Sequence, residues 1–389
     1  MRIRRCAVLL LEPREHARFD LDLLLAGGDG LQRTHRWLAL APHLDAEVEV
    51  DAAERELLGA LGANAWVPAR SLDAASRPAL RRLLQEGLVI GSTRAHAAHR
   101  ARDERLRASH WHPLAAVLHA FTRWRGTDAV QAMHDSGTET AAELRAVLGP
   151  PPPPTRVGDG APVPLPRSAP TAFDALLARR ATCRNFDPAR ALPLALFAQL
   201  LERVFAAHGA VRVSDDTEFL KKTSPSGGGL HPVEAYLVVQ HVDGLAPGLY
   251  HYDARAHALS ALPAPARPLR GFVLEALAQQ HWFADAHALV LLAPRYDRTF
   301  WKYRSHAKGY RVVALEAGHL SQTLYLAATE AGLGAFITGA INEACLEQAF
   351  GLDHVRDGAL ALCGFGWRAA TMEHTELDPA GAVWDAAAP

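Results

Sequence analysis

Five consecutive prolines, Pro150 to Pro154, are followed by Pro162, Pro164, Pro166 and Pro170, and together they forbid a helix anywhere in Gly149 to Pro170. Each ring fixes φ and removes a backbone donor. The stretch is therefore expected to be a stiff, extended tether. It divides the 389-residue chain into an N-terminal part, 1–148, and a C-terminal part, 171–389, each of ordinary domain size. With 49% hydrophobic residues both parts can build cores. The formal net charge of -1 gives no global field to attract nucleic acid or anionic lipid, so specificity must be local. Cys6, Cys183, Cys345 and Cys363 are scattered without a C-x-x-C pair, which argues against a disulfide framework or a thiolate zinc site and fits a reducing cytoplasm. No apolar run approaches the roughly 20 residues of a membrane span. The expected protein is soluble and cytoplasmic, with no membrane and no nucleic-acid partner.

In the N-terminal part, Cys6 to Leu11 reads as a first strand. "DAAERELLGALG" reads as a helix, and "SRPALRRLLQEGLVIGS" as a second with Leu80, Leu83 and Leu84 on one face, stopped by Gly87 before a strand. This order resembles a winged-helix module, of the kind that binds DNA in regulators or clamps leader peptides in peptide-modifying enzymes; a small domain that merely packs gives the same pattern. Arg77, Arg81 and Arg82 form a basic face that fits a solvated surface. His110, His112 and His119 lie close together, but no Cys or carboxylate completes a ligand set, so no metal site is assigned.

After the tether, "TAFDALLARR" reads as a helix with Phe173, Leu176 and Leu177 facing inward. In the extended "ATCRNFD" that follows, alternate side chains share a side, so Arg180, Thr182 and Arg184 converge while Cys183 and Asn185 point away. Two guanidinium groups and a hydroxyl suit a phosphate; a basic helix end complementing the macrodipole is the plainer reading. In "KKTSPSGGGLHPVEAYLVV" three glycines let backbone approach a flat ligand before the strand begins. No Gly-Lys-Ser or Gly-Lys-Thr makes it a Walker loop. "GLYHYDARAHALSAL" reads as a hairpin turning at Asp253 to Ala256, and "ALAQQHWFADAHALVLLAP" as a helix and a buried strand. From Val312 to Ala328 a helix is apolar on nearly all faces, as for a central or interface helix. Gly332 and Gly334 end it before the short strand "AFITG".

The ordered series "ARRATCRNF", "SPSGGGLHPVEAY", "GLYHYD", "LEAGHLSQTLYLAATEAGLGAF" and "ALCGFGW" resembles the nitroreductase fold, and within it the SagB-type (McbC-like) dehydrogenases that mature ribosomally made peptides. The resemblance spans residues 171 to 370. It implies an α+β, nitroreductase-like FMN-binding fold, a central mainly antiparallel sheet with flanking helices, preceded here by a smaller winged-helix-like domain suited to a peptide clamp. It further implies FMN at the interface of a homodimer. By position, Arg180, Thr182 and Arg184 would hold phosphate and ribityl groups, with Arg368 a second phosphate contact. Pro225, Ser226 and Gly227 would lie along the isoalloxazine. Gln280, whose register against Gln279 is open, would bond the pyrimidine edge, and Thr338 and Gly339 would sit near N5.

"RYDRTFWKYRSHAKGYR", residues 295–311, gathers four Arg, two Lys and three Tyr. The resemblance makes Lys302 and Tyr303 the catalytic pair of azoline-oxidising members. Aromatising such a ring removes a proton from one carbon and a hydride, to flavin N5, from its neighbour. Lys302, desolvated against Trp301 and Tyr303, would accept the proton, while an irregular backbone lets both side chains serve one substrate. A solvated basic loop is the alternative. His319, within an apolar helix, reads as an interface histidine, and Cys183 as inert packing. The leading reading is an FMN-dependent peptide dehydrogenase passing electrons to dioxygen, working beside other peptide-modifying enzymes. An NAD(P)H-dependent nitro or quinone reductase and a flavin-sensing DNA-binding regulator are the alternatives.

Overall fold

The computed structural model describes residues 1–156 and 158–384. The chain forms two compact units, one from Met1–Arg123, Tyr296–Arg311 and Asp353–Asp357, the other from Trp124–Arg295, Val312–Leu352 and Gly358 onward.

In the first unit, strand Arg2–Arg5 lies antiparallel between Val67–Pro68 and Val89–Gly91. The first strand was expected at Cys6 to Leu11; instead the basic flank itself is the strand, and the chain turns before the next one, Leu10–Phe19. The sheet tolerates this flank because Arg4 is paired. Its Nη2 lies 3.3 Å from Asp103 Oδ2, and its guanidinium sits 4.4 Å from the Trp66 ring centre. Asp103 is fully buried and also accepts from the Ala7 amide at 2.6 Å and Arg107 Nε at 2.7 Å.

Helix Ala52–Ala60 starts at a reciprocal capping box between Asp51 and Glu54. Helix Arg77–Gln85 buries Leu80, Leu83 and Leu84, and Gly87 at φ +79° turns the chain into Val89–Gly91. On its basic face Arg82 reaches Glu54 at 2.5 Å. A hairpin of two ten-residue strands, Leu10–Phe19 against Leu31–Leu40, was not foreseen. Residues Tyr296–Lys302 are a helix rather than an irregular loop. Its buried Tyr296 and Phe300 pack on Trp111, with ring centres 4.6 and 4.7 Å away. His119 stacks on the same indole at 5.2 Å, and burial pushes its pKa down to about 3, so it is neutral.

The second unit is built on a six-stranded, wholly antiparallel sheet in the order Ala258–Ala261, Gly248–Asp253, Val233–Val239, Ala288–Pro294, Ala361–Gly366, Gly334–Thr338. Every residue of the central Ala288–Pro294 is buried, which is why "ALVLLAP" carries no polar alternation. Helices Leu194–Phe205, Leu269–Ala276, Glu343–Phe350 and the 22-residue Gly309–Glu330 complete the α+β architecture. The proline-rich stretch is exposed and has no regular structure among its described residues.

One apolar face departs from expectation, and a second helix leaves part of its surface open. In helix Ala172–Arg179, Phe173 is 59% and Leu177 41% exposed rather than inward. The long helix leaves a stripe of Arg311, Ala314, Leu315, Gly318, His319 and Gln322 open, with Leu315 62% exposed. Among the described residues, no helix is long and apolar enough to cross a membrane.

Asp103→Ala would leave the nearly buried Arg4 guanidinium with only the half-exposed Glu104, 3.6 Å away, as counter-charge. Such losses cost about 3–5 kcal/mol. The thermal transition of the first unit should drop by many degrees, whereas Arg102→Ala, which breaks an exposed pair with Asp45, should leave it nearly unchanged.

Candidate functional site

Residues Ala181 to Asn185 are extended beside the outer strand of the sheet. Thr182 forms a parallel bridge with Ala335, and the Cys183 amide donates to the Ala335 carbonyl at 2.9 Å. Burial alternates along the segment: Ala181, Cys183 and Asn185 are buried, while Arg180, Thr182 and Arg184 are partly open. The three expected anion-binding side chains therefore share a side. Cys183 packs where Gly334 lacks a side chain, since a Cβ there would lie 2.4 Å from Sγ. Burial raises its thiol pKa to about 12, which keeps it protonated and inert.

Thr182 Oγ1 lies 3.0 Å from the Tyr325 hydroxyl, which also accepts from the Ile337 amide at 3.2 Å. Arg180 sits 5.4 Å from the Tyr325 ring centre and forms no ion pair among the described residues. Arg184 has a single side-chain bond, from Nη1 to the Thr375 carbonyl at 3.5 Å. Two guanidinium groups without carboxylate partners, flanking a hydroxyl, are a donor set that fits a dianionic phosphate. Arg368 is different. Its Nη1 pairs with Glu376 Oε2 at 2.5 Å and its Nη2 donates to the Ala181 carbonyl at 3.1 Å, so it braces the segment from behind.

Glu376 is the hub of this brace. Its carboxylate also accepts from the Arg184 amide at 2.6 Å, the Asn185 amide at 3.1 Å and the Trp384 indole at 2.9 Å. Asn185 returns the grip, accepting from the Glu373 and His374 amides at 2.8 and 2.7 Å. Burial pushes the Glu376 pKa upward, but the Arg184 amide, Trp384 and Arg368 outweigh it and hold it below the usual carboxylate range.

The backbone places Gln279 and Gln280 differently. Helix Leu269–Ala276 ends early, and Ala278 and Gln279 take left-handed φ of +48° and +66°. That reversal aims the buried Gln280 inward. Its Nε2 donates to the Leu277 and Ala340 carbonyls at 2.7 and 2.6 Å, and its Oε1 accepts from Thr338 Oγ1 at 3.1 Å. Gln280 and Thr338 are thus brought together, whereas Gln279 is half-exposed. At Gly339 a Cβ would meet nothing within 4 Å, so the end of that strand faces open space.

The loop of Pro225, Ser226 and Gly227 lies against the long helix. A Cβ on Gly227 would come within 1.9 Å of Val312, so only glycine allows this approach. Ser226 donates to the buried Glu316, and His319 Nδ1 lies 3.2 Å from the Pro225 carbonyl. His319 is exposed and tied to that loop. Sequence reasoning passed over Glu316, although it is the one charged residue between Val312 and Thr329, and a lone charge in an apolar helix is a usable signal. Glu376 and Tyr325 carried no such signal.

Lys302 and Tyr303 belong to the first unit. Lys302 ends its helix on the exposed surface, with Nζ 5.6 Å from the Tyr303 ring centre, and Trp301 is 53% exposed. The desolvation expected from Trp301 is therefore not supplied by these residues. Among the described residues, no group of three or more His, Cys, Asp or Glu side chains is placed to hold a metal ion.

The antiparallel sheet with its helices and an arginine-flanked edge defines an α+β domain. Residues 177–367 match the nitroreductase family model. The Methanocaldococcus jannaschii protein MJ1384, which carries a nitroreductase name, is 33% identical over 184 residues, 47% of this chain and 86% of that protein. The chain belongs to the nitroreductase family. It is also similar to the trifolitoxin-processing protein TfxB of Rhizobium leguminosarum bv. trifolii, at 29% identity over 44% of this chain and 46% of TfxB. The microcin B17-processing protein McbC of Escherichia coli matches at 25% identity over 47% of this chain and 65% of McbC. Less than two thirds of either processing protein is spanned.

Because the Glu376 pKa is depressed on folding, the stability it lends is present above the ordinary carboxylate value of 4.5 and is lost as pH falls through the lower, folded one. Limited proteolysis between residues 373 and 384 should be slow near neutral pH and accelerate only under more acidic conditions. Glu376→Gln, which loses bonds worth roughly 1.5–3 kcal/mol apiece, should show the fast pattern already at pH 7.

Proposed function

We propose that the protein is an FMN-dependent dehydrogenase that removes two hydrogens from a ribosomally synthesised precursor peptide, for example in converting an azoline ring to an azole. The observation that carries this reading is the pair of guanidinium groups, Arg180 and Arg184, left without carboxylate partners on either side of the Thr182 hydroxyl. The names of TfxB and McbC, both processing proteins of peptide products, support the substrate class. Bound FMN would supply the two-electron acceptor, passing electrons on to dioxygen.

In this reading Arg180 and Arg184 hold the phosphate and Thr182 the ribityl chain. Gln280 keeps one lone pair of Oε1 for the pyrimidine edge, and Thr338 and Gly339 border the reacting end of the ring. Arg368 acts through Glu376 rather than on phosphate. Lys302 accepts the proton from the ring carbon, assisted by Tyr303, and the substrate itself must provide the desolvation a basic lysine needs. The open apolar faces at Phe173, Leu177 and Leu315 support a homodimer. The N-terminal unit is assigned to precursor-peptide capture, alongside other peptide-modifying enzymes. Fully buried free thiols at Cys6, Cys183 and Cys363 suit a reducing cytoplasm.

The match to MJ1384 along most of its length favours a second reading, reduction of small nitro or quinone compounds by NAD(P)H. Turnover of a nitroaromatic by NADPH, without peptide, would select it. A net charge of -1 gives DNA binding no support.

The protein purified under mild conditions should release FMN on denaturation. Arg180→Ala and Arg184→Ala should each weaken FMN binding by about 10- to 100-fold, the loss of a charge-assisted contact, measured by fluorescence titration. Co-expression with a precursor peptide should yield product lighter by two hydrogens in mass spectra, and Lys302→Ala should abolish that loss while still binding FMN. A full-rate Lys302→Ala enzyme removes Lys302 from the mechanism.

A further inference from the structure

The glycine-rich loop is fastened to a single stripe of the long helix. Val312 fills the space beside Gly227, Glu316 meets Ser226, His319 meets the Pro225 carbonyl, and Thr323 Oγ1 lies 2.9 Å from Ser224 Oγ. The spacing of four, three and four residues puts all of them on one helical face. Glu316 differs from the others in being 3% exposed, and a buried carboxylate is tolerated only where donors satisfy it. It has two, one on each oxygen: the Ser226 hydroxyl on Oε2 and the Val233 amide, at 3.2 Å, on Oε1. Ser226 Oγ in turn accepts from the His231 amide at 2.9 Å. The hydroxyl has one proton to give, and Glu316 takes it. Between these anchors the chain carries positive φ at Gly228 (+67°) and Gly229 (+68°), which glycine adopts freely, and at His231 (+45°), which persists only where neighbours over-determine it.

We propose that Glu316 is a positioning residue for FMN: by receiving the Ser226 hydroxyl it turns that group into the protein and fixes the loop so that backbone, not hydroxyl, faces the ring system. This rests on the FMN reading given above. The groups facing the carboxylate are Lys222 and His319, which favour its charged form. Burial is the larger influence and raises its pKa above the usual carboxylate value, with the Ser226 and Val233 bonds and then Lys222 and His319 opposing. A proton on Glu316 and a Glu316→Gln substitution have the same local effect. Either places a donor on one oxygen's site, so the carboxyl end can no longer accept from both Val233 and Ser226, and the hydroxyl proton is released.

The test is a double-mutant cycle on FMN affinity, with amide exchange of the FMN-free protein as a second measurement. Glu316→Gln and Ser226→Ala should each weaken FMN binding about tenfold, the loss of one such bond. The double variant should bind no worse than the weaker single, because both changes break the same interaction. In FMN-free protein, amides 227–233 should exchange faster in Glu316→Gln than in wild type. Additive losses of affinity, or wild-type affinity in Glu316→Gln, would overturn the proposal while leaving the FMN reading intact. Wild-type protein that refuses FMN would overturn that reading and the positioning role together. Unchanged exchange in the FMN-free variant would show that Glu316 does not fix the loop, whatever the cofactor.

Discussion

The bond from the Cys183 amide to the Ala335 carbonyl, with the parallel bridge it belongs to, is what the candidate site depends on. An extended backbone is the reason that residues two apart share a side. If the chain continued as helix beyond Arg179, Arg180 and Arg184 would share a face but Thr182 would point to the opposite one. The sheet edge supplies the partner that holds them in line, and Gly334 supplies the space for Cys183 that lets the segment lie close. Side chains placed this way take their position from a sheet edge rather than from a surface loop.

Three buried carboxylates show a common solution to the cost of a desolvated charge. Asp103 in the first unit, and Glu316 and Glu376 in the second, each accept a backbone amide. Asp103 and Glu376 add arginine, and Glu316 adds a serine hydroxyl. In every case the carboxylate joins segments distant in sequence: strand to helix, loop to helix, and the C-terminal strap to the arginine segment. Charge here organises connectivity, and its net contribution to stability is secondary to the geometry it imposes.

What the sequence announced were features with local causes. The capped helix at Asp51, the lack of regular structure in the proline run, the uninterrupted apolar strand Ala288–Pro294 and the alternation from Arg180 to Arg184 all follow from periodicity or ring chemistry. What it concealed was decided by partners far along the chain. Nothing near Glu376 reveals that it would capture Arg368 and two amides near residue 184. The helical state of Tyr296–Lys302 comes from Trp111, which gives Tyr296 and Phe300 a surface to bury against despite the many charges between them. The early end of the Leu269–Ala276 helix is likewise invisible in residues that are fair helix formers. Two consecutive left-handed residues without glycine are held by the helix-closing bonds of the Ala278 and Gln279 amides to the Glu275 and Leu274 carbonyls and by the anchoring of Gln280 beyond them.

The first unit is not a contiguous piece of chain. Its aromatic cluster needs Tyr296 and Phe300, and its carbonyl partners for Trp111 and His119 are Val355 and His354. During synthesis Trp111 and His119 must wait until His354 and Val355 have been made before they find their acceptors. Cutting at the proline run would yield a front half with unfilled holes in its interior. The two units are thereby obliged to mature together, as one product of synthesis.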